Sequence, residues 1–294
     1  MNGRLRWLVA LLLPLALMAT ACGDDDDGGD DAAPDPTVEE ETEFAEGSTM
    51  AELSEAGSIT IGTKFDQPGL GAVSLESEDP EGFDIEIGKI IAGKLGIAPE
   101  DIEWVETVSA NRETFIENGN VDLVIATYTI NDERKEKVDF AGPYYVAGQD
   151  LLVAADDDSI NGPDDLAGKT VCSVDGSTPA GNIQQNFPDT KLVTFAAYTD
   201  CLDPLRNGQV DALTTDNVIL GGYVSESPDD FKIAGEPFTE EPYGIGLAKG
   251  DDAFRSWIND VLEASFEDGR WVDAWESTAG EVLPTPEPPT VDRY

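Results

Sequence analysis

Asn118-Gly119-Asn120-Val121-Asp122 leads into Leu123-Val124-Ile125-Ala126-Thr127, and further along Asn207-Gly208-Gln209-Val210-Asp211 leads into Ala212-Leu213-Thr214-Thr215. Each copy reads as the end of a helix, a glycine stop, and a short strand finishing in threonine and polar residues. One αβ unit used twice implies two similar halves; a chance echo of a short motif is the alternative. Two such halves facing each other would bring their strand C-termini to a shared cleft, where open α/β sheets bind ligands.

Outward from this echo, strand-like runs fall at 58–63, 102–106, 121–127, 151–155, 170–174, 191–195, 210–214 and 244–248. They alternate with helix-like segments, the pattern of an α/β fold. Ile87, Ile90, Ile91 and Leu95 stand at i, i+3, i+4 and i+8 with Gly96 behind them, which predicts an amphipathic helix. Phe254, Trp257, Ile258, Val261 and Leu262 mark another helix, and Trp271 and Trp275 a further one after Gly269. Residues 281–294 are proline-rich from Pro284 to Pro289 and read as a loose tail.

The chain has 294 residues, with 17 Lys and Arg against 61 Asp and Glu, a formal net charge of −44, and 40% hydrophobic residues. That apolar content supports a sizeable core in one or two domains. The charge argues against a nucleic-acid partner, which needs clustered bases. An anion can still be bound if a few of the scarce cations gather in one pocket. Histidine is absent, removing the commonest general base and zinc ligand. No phosphate-binding glycine loop is present, so the chain should not hydrolyse ATP. No cofactor or metal is expected.

Arg4 and Arg6 precede an apolar run from Trp7 to Ala19, followed by Thr20-Ala21-Cys22. A basic start, a short apolar stretch and small residues read as a secretory signal over 1–21. Cysteine in that place resembles a bacterial lipobox, which implies a lipidated Cys22 as the mature N-terminus; the departure is Ala19, where leucine is usual. An ordinary secreted protein is the alternative. Residues 22–48, rich in Asp, Glu, Gly and Pro, read as a self-repelling tether. Asp24–Asp27 lack the spacing of a calcium loop. Cys172 and Cys201 remain, and an oxidising compartment favours their pairing over two free thiols.

Gly82-Phe-Asp-Ile-Glu86, the run Val121-Asp-Leu-Val-Ile-Ala-Thr-Tyr-Thr-Ile-Asn-Asp-Glu-Arg134, Val138-Asp-Phe-Ala-Gly-Pro-Tyr-Tyr145, Asp164-Asp-Leu-Ala-Gly-Lys169 and Asp175-Gly-Ser-Thr178 occur in this order. Together they resemble the polar-amino-acid solute-binding proteins of ABC importers, over about residues 58–275. The resemblance implies a two-lobed periplasmic-binding-protein-like (type II) fold with two hinge crossovers, near 146–151 and 240–245. Lobe one would take 49–148 and 243–280, and lobe two 149–242. It implies a monomer on the outer face of the cell membrane that hands an amino acid to permease subunits.

An amino acid needs a planar cation for its carboxylate and a buried anion for its ammonium. Arg134 offers a guanidinium fork that holds a carboxylate in two hydrogen bonds, and the family's arginine at this place does so, with Thr127 and Thr129 as partners. Thr178, in a small-residue turn, matches a lobe-two grip on the same carboxylate. Asp216 matches the family's carboxylate for the ammonium; a plain helix N-cap is the other reading. Lys64, and Arg112 in Ser109-Ala-Asn-Arg112, resemble side-chain carboxylate contacts of glutamate- and aspartate-binding members. Tyr198 stands near the cleft where acidic-ligand relatives carry histidine. Phe65 and Tyr128 are walls or core. The expectation is capture of an acidic amino acid, glutamate first, with glutamine the neutral alternative. A cyclic-acid dehydratase on the same fold is the enzymatic one.

Overall fold

The computed structural model describes residues 43–74, 77 and 79–294; the signal-like segment, Cys22 and the tether through residue 42 lie outside the described residues. The chain runs through β1 (Ile59–Thr63), β2 (Asp66–Gln67), β3 (Gly71–Ala72), β4 (Ile102–Glu106), β5 (Leu123–Val124) and β6 (Asp139–Ala147). It continues through β7 (Gln149–Ala154), β8 (Thr170–Val174), β9 (Lys191–Phe195), β10 (Ala212–Asp216), β11 (Phe231–Ile233) and β12 (Glu241–Leu247). One five-stranded sheet has the order β4-β1-β5-β12-β6 and a second the order β11-β7-β10-β8-β9. In the first, β1 is parallel to β4 and β5, while β12 is antiparallel to β5 and β6. In the second, β8 is parallel to β9 and β10, and β7 is antiparallel to β10 and β11.

The two sheets build two lobes of one α/β fold. The chain crosses from the first to the second through Gly148 alone, and returns over residues 234–240. The crossovers lie side by side: Gln149 N donates to Thr239 Oγ1 at 2.9 Å and Phe238 N to Gln149 O at 2.9 Å. A Cβ on Gly148 would sit 2.7 Å from Thr239 O and from Pro237 Cβ, so only glycine lets the strands pass this closely.

Nine helices are described: α1 (Thr49–Ala56), α2 (Phe83–Lys94), α3 (Arg112–Glu117), α4 (Asp132–Lys135), α5 (Thr178–Asn186), α6 (Leu202–Arg206), α7 (Asn217–Glu226), α8 (Asp252–Asp268) and α9 (Arg270–Glu276). α2 is the helix that the isoleucine spacing anticipates, and Ile87, Ile90, Ile91 and Leu95 are all buried. Its first residue, Phe83, meets Trp271 and Trp275 edge-on at 5.6 and 5.1 Å. Trp271 Nε1 donates to Tyr144 O at 2.8 Å, so the buried indole keeps its polar atom satisfied.

Four differences from the sequence reading have causes in contacts between residues far apart in the chain. The strand expected at 121–127 shrinks to Leu123–Val124, because Thr127 turns to φ 47° and gives its N–H to the Asp84 carboxylate at 2.8 Å. β6 was hidden behind Gly142-Pro143: the β6–β12 register shifts between Tyr243 and Ile245, so Pro143 lies at a bulge where no ladder N–H is needed. The proline-rich tail is docked, not loose. Tyr294 Oη accepts from Phe140 N at 2.9 Å, Asp292 N donates to Gly142 O at 2.8 Å, and Arg293 pairs with Asp260 and Glu263 at 2.6 Å. At the other end of the described residues, Phe44, assigned to the tether, packs edge-on against Trp257 at 5.8 Å.

Cys172, in β8, and Cys201 form a disulfide across a separation of 29 residues. Closing a loop of that length removes unfolded-state entropy worth ~3–4 kcal/mol. The Cys172→Ser/Cys201→Ser variant is expected to lose stability of about that size in urea titrations. An unchanged transition would show that the bridge contributes nothing.

Candidate functional site

Between the lobes lies a narrow cavity of about 220 Å³ of atom-free space. Lobe one lines it with Ser109, Arg112, Thr127, Thr129 and Arg134, and lobe two with Ser177, Thr178, Pro179, Tyr198, Asp216 and Ile219. Eight of the nine ligand contacts expected from sequence are therefore brought together. Lys64 is the exception: its Nζ turns to Asp66 Oδ1 at 3.3 Å, with both side chains buried. A buried ammonium needs a counter-charge, and Asp66, two residues away, provides one that sequence reasoning overlooked.

Arg134 is presented by α4, whose N-cap Asn131 accepts from the Arg134 backbone N–H at 2.9 Å. Its Nη1 donates to Thr129 O at 2.6 Å and its Nη2 reaches across to Gly176 O of lobe two at 3.3 Å. Nε lies 3.5 Å from Glu113. Burial, and then the neighbouring Arg112, lower the guanidinium to about 10, so it stays charged at neutral pH. Arg112 opens α3 and donates to Ala126 O at 2.8 Å. Both guanidiniums lie over the Tyr128 ring, at 4.2 Å for Arg112 and 4.9 Å for Arg134. Tyr128 is thus a platform beneath the cations, not a cavity wall. Phe65, the other undecided aromatic, is half-buried and does not line the cavity.

Asp216 ends β10 and stands at the N-terminus of α7, but its side chain makes no cap hydrogen bond. Instead Oδ2 accepts from Tyr243 Oη at 2.6 Å, and Oδ1 has no hydrogen-bond partner among the described residues. Burial above all, with the charge of Glu241 second, pushes the carboxyl up to about 7; the Tyr243 hydrogen bond and the two arginines pull the other way. Thr178 Oγ1 and Arg112 Nε are likewise buried and unpartnered. Unpaired buried polar atoms cost free energy, and three of them on one cavity mark where a polar ligand would complete the set. The Thr127 hydroxyl is turned inward, donating to Ala126 O at 2.7 Å.

Sequence reasoning missed Ser177, Pro179 and Ile219 as wall residues, and Tyr243 as the partner of Asp216. Ser177 was within reach, since it stands in the turn named for Thr178; it caps α5 by accepting from Ala180 N at 3.1 Å. Ile219 has an ordinary apolar helix spacing that gives no hint of a site. Outward from Arg134 a polar groove with about 1160 Å³ of atom-free space opens, sharing Ser109, Arg134, Ser177 and Thr178 with the inner cavity. Among the described residues, no helix is long and apolar enough to cross a membrane, and no acidic or thiol cluster could hold a metal.

The family model of bacterial extracellular solute-binding proteins, family 3, matches residues 59–276. The chain is 42% identical to the glutamate-binding protein GluB of Corynebacterium glutamicum, over 77% of this chain and 80% of that protein. It is 37% identical to the ABC transporter glutamine-binding protein GlnH of Bacillus subtilis, over 78% and 83%. The solute receptor for L-cysteine of Neisseria gonorrhoeae superposes with a TM-score of 0.76 at 32% identity, over 81% of this chain and 96% of that one. The chain belongs to the family 3 bacterial extracellular solute-binding proteins.

Because Asp216 holds its proton to about pH 7 in the fold and an unfolded aspartate releases it near 4, the folded state binds the extra proton in between. Ligand-free stability should therefore fall as pH rises from about 4 to about 7. Melting temperatures across that window should show a smaller decline in Asp216→Asn than in the wild type. Equal slopes would mean that Asp216 is not the titrating group.

Proposed function

We propose that this protein captures L-glutamate outside the cytoplasm, closes its lobes over it, and delivers it to membrane permease subunits while held at the membrane by a lipidated Cys22. The single observation that carries the ligand assignment is the charge set on one cavity: guanidiniums of Arg112 and Arg134 together with the carboxylate of Asp216. Glutamate carries two carboxylates and one ammonium, the reverse of that set. Arg134 and Thr178 would take the α-carboxylate, Asp216 the ammonium, and Arg112 with Ser109 the side-chain carboxylate. The Tyr198 hydroxyl supplies a further polar contact from lobe two.

Ligand would first meet lobe one through Arg134, Thr129 and Arg112. Lobe two would then close on it with Thr178 and Asp216, a rigid-body hinge motion. Relatives named for glutamate binding support the acidic ligand. Glutamine is the second reading, favoured by relatives named for glutamine and by the engagement of Lys64 with Asp66, which leaves Arg112 as the remaining base for the side-chain end. One methylene separates glutamate from aspartate and is worth only ~1–3 kcal/mol.

Titration calorimetry with glutamate, aspartate and glutamine tests the assignment. The wild type should bind glutamate most tightly. Arg112→Met should weaken glutamate more than tenfold and glutamine far less, and Asp216→Asn should abolish binding of all three. Unchanged glutamate affinity in Arg112→Met would overturn the acidic-ligand reading. Binding an ammonium should also expel the proton from Asp216. Calorimetry at pH 6 in buffers of different ionisation enthalpy should thus detect proton release that disappears at pH 8, where the Asp216 carboxyl is already ionised.

A further inference from the structure

Three groups from both lobes converge on Asp66, the first residue of the short strand β2, and a fourth contact lies two residues on. Its Oδ2 accepts from the backbone N–H of Tyr198 in lobe two at 2.9 Å. Its backbone oxygen accepts from Tyr223 Oη, also of lobe two, at 2.8 Å. Its Oδ1 faces Lys64 at 3.3 Å. The fourth contact is two residues on, where the Pro68 carbonyl lies against Gly222 of α7: a Cβ on Gly222 would stand 2.5 Å from Pro68 O and 3.4 Å from Pro68 Cβ.

We infer that Asp66 is a positioning residue that latches lobe two onto lobe one and sets Tyr198 against the ligand, and that Gly222 is the glycine that lets this latch seat. The inference rests on the closure reading above. Asp66 does not line the cavity, but Tyr198 does, so Asp66 acts through it. Lys64 completes the device. Its charge offsets the carboxylate in a place where both are shielded from water, and it is thereby diverted from the ligand. Burial lowers the Lys64 ammonium while Asp66 raises it, which fits a base that depends on this partner.

Gly222 separates the latch from a general role in folding. It lies inside α7 with no left-handed φ, where alanine is the better helix former. All three of its nearest non-helical neighbours belong to Pro68, across the cleft. A methyl group there leaves lobe two intact and collides only when the lobes meet. Tyr223, the next residue, is buried, and its hydroxyl donates to Asp66 O of lobe one.

The test uses the full chain, L-glutamate and L-glutamine as probes, and stopped-flow tryptophan fluorescence to separate association from dissociation. Tyr223→Phe should raise the dissociation rate about three- to tenfold, in line with loss of one hydrogen bond, with the association rate within twofold of wild type. Gly222→Ala should raise Kd at least tenfold while its ligand-free melting temperature is not lowered. Whichever probe the wild type binds serves for both variants: preference for glutamine would overturn the glutamate assignment alone. Wild-type rates and Kd in both variants would overturn the latch. So would a Gly222→Ala chain whose weaker binding comes with a lower melting temperature, since that is damage within lobe two.

Discussion

Two guanidiniums and one carboxylate, taken out of water in a gap between two sheets, are the constraint from which the rest of the site follows. Arg112 and Arg134 share the Tyr128 ring and draw on main-chain carbonyls of Ala126 and Thr129. Asp216 has only the Tyr243 hydroxyl. Burying charge without full compensation is costly, and its mark is a carboxyl displaced to about 7 and a guanidinium displaced to about 10. Such displacements gather where a ligand is to supply the missing partners. In a chain with 17 basic residues, committing two to one gap is itself a statement about the charge of what enters.

The fold holds this arrangement open to change because the lobes are joined by little. A single glycine carries the chain one way and a seven-residue stretch carries it back, side by side. Each lobe brings its own half of the charge set, cations from helices α3 and α4 and the anion from the end of β10. Across the two halves Arg134 reaches Gly176 O at 3.3 Å and Tyr243 Oη reaches Asp216 at 2.6 Å. Glycine recurs at these approaches for a steric reason. A Cβ on Gly176 would fall 2.8 Å from Ala110 Cα, so the lobe-two lip of the cleft is shaped by the absence of a side chain.

Rigidity is placed elsewhere. Phe83, Trp271, Trp275 and Tyr145 form an aromatic cluster that ties α2, α9 and β6 together in lobe one. The segment ending at Tyr294 straps the same lobe, with the ring held between Lys135 and Arg255 at 3.8 and 4.2 Å. Lys135 is the neighbour of Arg134 on α4, so the strap braces the short helix that presents Arg134 to the cavity. The disulfide plays the corresponding part in lobe two, between β8 and the turn that carries Tyr198.

By itself the sequence determined whatever depends on near neighbours along the chain. Isoleucine spacing defined α2, β4, β8 and β9 were legible to the residue, and the repeated Asn-Gly-x-Val-Asp motif marked two halves. The resemblance to a known family pointed to Arg134, Thr178 and Asp216, and the fold brings all three to one cavity. Tertiary structure alone decided what depends on partners far away in sequence. Pro143 lies inside a strand because β12 bulges opposite it, and the proline-rich end is docked because Phe140, Gly142 and α8 hold it. Lys64 faces Asp66, a carboxylate that Tyr198 N and Tyr223 Oη of lobe two also hold through its Oδ2 and its backbone oxygen. Periodicity and propensity report on one turn or one strand at a time, whereas the partner that satisfies a buried charge is chosen by the fold as a whole.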